Sequence, residues 1–133
     1  ETVAEGEELY ENKAGQMDEV REGLISMNKG RISQTDDERL CDLGFSYLQV
    51  KDFDKAAEKY EKALKINPEN PLALLNMGII YEKKEEYEKA IGMYEKVISL
   101  DTDYRVYDVM NPVQTGQKAT DIARENLENL KKE

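Results

Sequence analysis

Asp52-Phe53-Asp54-Lys55-Ala56 returns 34 residues later as Glu86-Tyr87-Glu88-Lys89-Ala90. The agreement extends to both sides: at the same offset Gly44 recurs as Gly78, Tyr47 as Tyr81 and Tyr60 as Tyr94. A period of this length marks a helical hairpin that cannot bury its apolar face alone and buries it on the next copy. Residues 37–102 therefore hold two such units and set the fold class as all-α.

Local signals agree with the period. Thr35 followed by Glu38 makes a capping box, each side chain satisfying a free amide at the other end. It opens a helix over 36–50 with Leu40, Leu43, Gly44 and Tyr47 on its packing face, and Lys51-Asp52 ends it before a return helix over 53–66. In Asn67-Pro68-Glu69-Asn70-Pro71, Asn70 is a cap and Pro71 stands at the first helical position, where proline is tolerated best. Helices over 71–84 and 87–100 repeat the pair. Gly44 and Gly78 are expected where two helices approach too closely for a side chain, with Ala56 and Ala90 facing them.

Upstream, Gln16-Met17-Asp18-Glu19-Val20 falls on Asp52–Ala56. Met17, Val20, Leu24 and Met27 keep the spacing of Phe53, Ala56, Tyr60 and Ala63, one stripe of a helix. Gly6-Glu7-Glu8-Leu9 echoes Gly44-Phe45-Ser46-Tyr47, so 1–34 reads as a degenerate first repeat, although Gly23 inside its second helix costs about 1 kcal/mol. Downstream the pattern fails. Pro112 stands where a third glycine is due, and proline in a helix interior costs roughly 3 kcal/mol, so 103–115 is an irregular insert. Residues 116–133 then form an amphipathic helix with Ala119, Ile122, Ala123, Asn126, Leu127 and Leu130 on one side, placed to cover the last apolar face. The whole is one domain: 1–34, 35–68 and 69–102 as repeats, 103–115 as insert, 116–133 as cap.

These units resemble the tetratricopeptide repeat. The residues that carry the likeness are Leu40, Leu43-Gly44, Tyr47, Ala56, Tyr60 and Pro68, then Leu74, Met77-Gly78, Tyr81, Ala90 and Tyr94, with Thr102 where proline would close the unit. The resemblance implies a right-handed helical-hairpin solenoid of about three repeats whose first helices line a concave hollow. It also implies that a peptide or helix of a protein partner lies there. Carried over position by position, the hollow is lined by Glu38, Cys41, Asp42, Phe45, Leu48 and Gln49, and by Leu72, Leu75, Asn76, Ile79 and Lys83. The members that clamp an acidic tail use lysine, asparagine and arginine there; this chain has Cys41 and Phe45 at two of those positions and only Asn76 fits, so that mode is set aside.

Phe45, Leu48, Leu75 and Ile79 lie off the repeat's packing positions, so the hollow is expected to have an exposed apolar floor with acidic flanks. Two occupants are open. One is an amphipathic or basic partner segment with its positive side toward Glu38 and Asp42. The other is the chain's own insert, through Tyr104, Val106, Tyr107, Val109 and Met110. The first makes the protein an adaptor, as in assembly or secretion machinery; the second makes it a structural, self-associating module.

Composition removes other classes. At 133 residues the chain is long enough for a core, and a net charge of −10 with 36% charged residues disfavours nucleic acid and anionic membrane. Much of that charge is paired along helix faces, as in Glu58/Lys62 and Glu61/Lys65. There is no histidine, no calcium-loop or phosphate-cradling motif, and the single Cys41 has no histidine to activate it. A non-catalytic protein with no metal, cofactor or small-molecule substrate is expected. No apolar run reaches the roughly 20 residues that span a bilayer. The first residue is Glu1 rather than methionine, which reads as a processed or trimmed start and leaves the compartment open.

Overall fold

The computed structural model describes residues 34–132. The proposed first repeat, 1–34, lies almost wholly outside them. Among the described residues five α-helices run in order: α1 Asp36–Gln49, α2 Phe53–Ile66, α3 Pro71–Lys83, α4 Tyr87–Leu100 and α5 Ala119–Lys131. Among the described residues there is no strand, only an isolated antiparallel bridge between Arg105 and Lys118. α1 packs on α2 and α3 on α4 as hairpins; α3 also packs on α2, and α5 lies on α4 and α3.

The two hairpins are built alike down to their turns. Thr35 and Glu38 form the capping box that starts α1, with the Thr35 amide donating to Glu38 Oε2 at 3.2 Å. Asn70 Oδ1 accepts from the Ala73 amide at 3.0 Å and Pro71 opens α3. At the first hairpin turn the Asp52 amide reaches back to the Tyr47 carbonyl (3.0 Å), and at the second the Glu86 amide reaches Tyr81 (2.8 Å). Such a bond closes a helix only when the residue before it turns left-handed. Lys51 (φ 63°) and Glu85 (φ 62°) both do so, 34 residues apart and without glycine. Lys55 sits over the Tyr47 ring at 5.9 Å, and Lys89 over Tyr81 at 5.6 Å.

The close approach expected at the glycines is present, and ring atoms make its nearest contacts. A methyl on Gly44 would meet the Tyr60 ring at 2.8 Å, and one on Gly78 would meet the Tyr94 ring at 2.6 Å. The nearest atoms at both glycines belong to the aromatic one helical turn beyond Ala56 or Ala90 on the return helix. Tyr47, Tyr60, Tyr94, Ala56 and Ala90 are all buried, while Tyr81 is half-buried.

Tyrosine hydroxyls also tie each hairpin to the next helix of the stack. Asn76 on α3 donates to Tyr60 Oη on α2 at 3.0 Å, and Asn126 on α5 donates to Tyr94 Oη on α4 at 3.4 Å. So α5 stands to α4 as α3 stands to α2. Asn126 lies 50 residues after Asn76 instead of 34, and the surplus of 16 is the segment 103–118 inserted between α4 and α5. Within it Pro112–Gln114 makes one tight 3-10 turn. The last helix begins at Ala119, three residues later than Gly116: Gly116 turns left-handed (φ 85°), and Lys118 is held in the bridge to Arg105. α1 and α3 each end one residue early, with Val50 and Lys84 as caps.

Candidate functional site

The eleven positions expected to line the hollow lie on α1 and α3. Glu38, Gln49 and Lys83 are exposed, and Asp42 and Phe45 are half-buried. Cys41, Leu48, Leu72, Leu75, Asn76 and Ile79 are buried, with Leu48, Leu75 and Asn76 at 0% exposure. The expectation of an open apolar floor is therefore corrected. Leu48, Leu72, Leu75 and Ile79 belong to the same apolar core as Val106 and Val109 of the insert, and Phe45 and Met110 pack against it. The remaining insert residues, Tyr104 and Tyr107, are 45% and 65% exposed.

The insert, here called the strap, is closed on itself. The Val106 amide donates to the Gln117 carbonyl (2.9 Å), the Gly116 amide to Val106 (2.7 Å) and the Ala119 amide to Tyr104 (2.8 Å). Arg105 Nη1 donates to the Gly116 carbonyl at 2.9 Å, and Lys118 pairs with Asp103 at 3.1 Å. Two side-chain amides tie it to the helices. Asn76 Nδ2 donates to the Asp108 carbonyl at 3.0 Å, and Gln114 Nε2 donates to Asn126 Oδ1 at 2.9 Å. Asn76 Oδ1, although buried, has no hydrogen-bond partner among the described residues.

The strap thus crosses α3 at Asn76 and leaves a cleft toward each end of that helix. The cleft toward the N-terminus, about 350 Å³, brings together Glu38, Cys41, Asp42 and Leu72 with Tyr104 and Asp108 of the strap. The cleft toward the C-terminus, about 360 Å³, brings together Ile79 and Lys83 with Met110, Gln114 and Asn126. Phe45, Leu48, Gln49, Leu75 and Asn76 line neither cleft.

Asp37, Asn67 and Asn70, absent from the sequence-based site, also line the first cleft. Asp37 Oδ2 accepts from Asn70 Nδ2 at 2.9 Å and from Asn67 Nδ2 at 3.2 Å, joining the start of α1 to the turn between the repeats. A hydrogen bond from Thr35 and these two amides hold its carboxyl below the usual carboxylate range, against a burial cost that acts the other way. Their only sequence signal is the capping grammar of Asn67 and Asn70. Gln114 carries no such signal, because its role depends on where the strap lands.

Cys41 is buried, and burial, with the charges of Asp37 and Asp42, pushes its thiol up to about 12. At neutral pH it is a protonated thiol, not a nucleophile. Burial also raises Tyr104, with smaller contributions from the nearby Cys41 and the charges of Asp108, Glu38 and Asp42. Among the described residues no group of three or more His, Cys, Asp or Glu side chains is placed to hold a metal ion. Nor is any described helix long and apolar enough to cross a membrane.

Paired helices stacked by equivalent contacts, with clefts on the side of their first helices, define a helical-hairpin repeat protein. Two family models match the chain, one described as TPR repeat over residues 44–85 and one as tetratricopeptide repeat over residues 71–104. Residues 44–104 thus carry tetratricopeptide repeats. No curated protein matches it. Repeats of this family generally mediate protein–protein interaction, and the family is typically a non-catalytic scaffold.

Proposed function

We propose that the chain is a non-catalytic adaptor that holds a segment of a protein partner against the inner side of α1 and α3, with its own strap forming part of the site. The observation that carries this is the cleft of about 350 Å³ in which Glu38, Cys41, Asp42 and Leu72, positions on two successive first helices, meet Tyr104 and Asp108. Acidic and amide side chains make up most of its lining, beside Cys41, Pro71, Leu72 and Tyr104, so the cleft suits a segment that offers positive charge and hydrogen-bond donors. The carboxylates of Asp37, Glu38, Asp42 and Asp108 in its lining favour a partner segment that is basic on the side it presents, with a charged flank steering the encounter. An amphipathic helix or an extended basic peptide meets that requirement.

The test uses the full chain and a panel of synthetic amphipathic peptides with lysine or arginine on one face, read by fluorescence polarisation. Binding is expected to weaken about tenfold on Glu38→Lys, equivalent to about 1.4 kcal/mol, and to weaken further with added salt. Charge reversal on the return helices, such as Glu61→Lys, leaves it unchanged. Affinity that tracks Glu61 and ignores Glu38 moves the site off the first helices and sinks the proposal.

A further inference from the structure

The two asparagines that join successive helices of the stack also hold the strap. Asn76 Nδ2, which donates to Tyr60 Oη at 3.0 Å, donates to the Asp108 carbonyl at 3.0 Å as well. Asn126, whose Nδ2 donates to Tyr94 Oη at 3.4 Å, accepts at Oδ1 from Gln114 Nε2 at 2.9 Å. Tyr94 Oη in turn donates to Glu82, which brings the path back to α3. These bonds make a closed circuit, from α3 through the strap to α5, then to α4 and back to α3.

Between its two fastenings the strap is stiff. The Val106 amide bonds the Gln117 carbonyl, the Gly116 amide bonds Val106 and the Ala119 amide bonds Tyr104, so its two ends are paired, and Arg105 adds a bond to Gly116. Pro112–Gln114 is wound into a 3-10 turn, with Asn111 Oδ1 accepting from the Val113 amide at 3.1 Å. Val106 and Val109 are buried in the core of the repeats. A loop built in this way moves as a body, because no slack segment lies between the fastenings to absorb a shift at one of them.

We infer that the strap is a brace between the two joints of the stack, through which the position of α5 sets the shape of the cleft at the N-terminus of α3. Tyr104 and Asp108 form the strap's wall of that cleft, whereas Gln114 and Asn126 line only the other one. Gln114 is therefore a positioning residue: it is remote from the first cleft but holds the body that carries Tyr104 and Asp108. In a repeat array each unit ordinarily interacts only with its neighbours. Here the circuit ties the terminal helix to the joint between α2 and α3 as well. The brace concerns the shape of the cleft and does not depend on what the cleft binds.

The test reads Cys41, the only cysteine, which is 1% exposed and lines the first cleft with Tyr104 and Asp108. Two full-length variants alter the far joint alone. Gln114→Met keeps the bulk of the side chain without its bond to Asn126, and Tyr94→Phe removes the hydroxyl that holds Asn126. Glu61→Gly, at an exposed site within α2, lowers stability away from the strap and serves as the control for global opening. With stabilities matched in dilute urea, Cys41 in either far-joint variant is expected to react with a maleimide about fivefold faster than in the control, as for the loss of one ordinary hydrogen bond. A second background carries two glycines inserted between Met110 and Asn111 to make the strap slack. There Gln114→Met is expected to bring no further acceleration. Far-joint variants that react at the control rate show that the two fastenings act separately and overturn the inference. A further fivefold acceleration in the slack background shows that the effect does not travel along the strap and overturns it too. If circular dichroism shows that the insertion does not fold, the first comparison decides alone. No peptide enters these measurements, so the binding that depends on Glu38 stands or falls separately.

Discussion

Replacing Gly78 by alanine adds one methyl to α3, and the same change at Gly92 adds one to α4; the two should have opposite effects. In both helices alanine is favoured over glycine by about 1 kcal/mol because it loses less backbone entropy. At Gly92 nothing among the described residues lies within 4 Å of the added carbon, so that gain stands alone and Gly92→Ala should stabilise by up to about 1 kcal/mol. At Gly78 the carbon would lie 2.6 Å from Tyr94 Cε1, 2.9 Å from Cδ1 and 3.0 Å from Cζ. The ring cannot simply swing away: it is fully buried, and its hydroxyl bonds both Glu82 and Asn126. Overpacking of this kind costs typically about 1–3 kcal/mol, which offsets or outweighs the propensity gain, and Gly78→Ala should be net destabilising by up to about 2 kcal/mol. Urea titrations monitored by circular dichroism give both values. A double-mutant cycle with Tyr94→Leu isolates the clash, since without the ring the alanine at 78 should recover most of its helical advantage. Equal effects at 78 and 92, or a Gly78→Ala protein more stable than the parent, would refute the assignment of Gly78 to the hairpin contact.

Asp37→Ala should cost about 1.5–3 kcal/mol, because it leaves the amides of Asn67 and Asn70 without their charged acceptor. Its carboxyl is depressed in the folded state, so its contribution is fully present above the ordinary carboxylate value and disappears as pH falls through the lower, folded one. The parent should therefore lose its advantage over Asp37→Ala below about pH 4, in chemical unfolding at graded pH; an advantage that persists or grows on acidification contradicts this. Ile79→Asp places a charge in a buried position beside the strap, so it should lower stability by several kcal/mol and speed proteolysis between α4 and α5. A protein of parental stability, cut no faster, would mean that residue 79 faces water.

The hairpins were legible in the sequence because their determinants are local or periodic. A proline at a helix start, an asparagine cap and a capping box act within a few residues of themselves. Gly44, Tyr60, Gly78 and Tyr94 fall on opposing helices only when the 34-residue period is honoured, so the period itself carries the contact. The left-handed turns at Lys51 and Glu85 could not be read, since neither is glycine; they go with the bonds that close each first helix, from the Asp52 amide to Tyr47 and from the Glu86 amide to Tyr81.

One sequence signal argues against the expected open floor. The stretch from Leu72 to Ile80 is buried without interruption, and its composition is apolar around the whole helix rather than along a stripe. A helix of that kind has neighbours on every side, which already requires its inner face to be covered. What covers it was beyond the sequence. Val106, Val109 and Met110 offer an apolar set, but whether they meet α3, another chain or water depends on the path of a 16-residue insertion with no period of its own. The sequence alone determined the repeats, because each is a sum of short-range preferences and nearest-neighbour packing. Only the tertiary structure decided the clefts, because the strap's position depends on non-local contacts, those of Asn76 with Asp108 and Gln114 with Asn126, made between residues that no spacing rule relates.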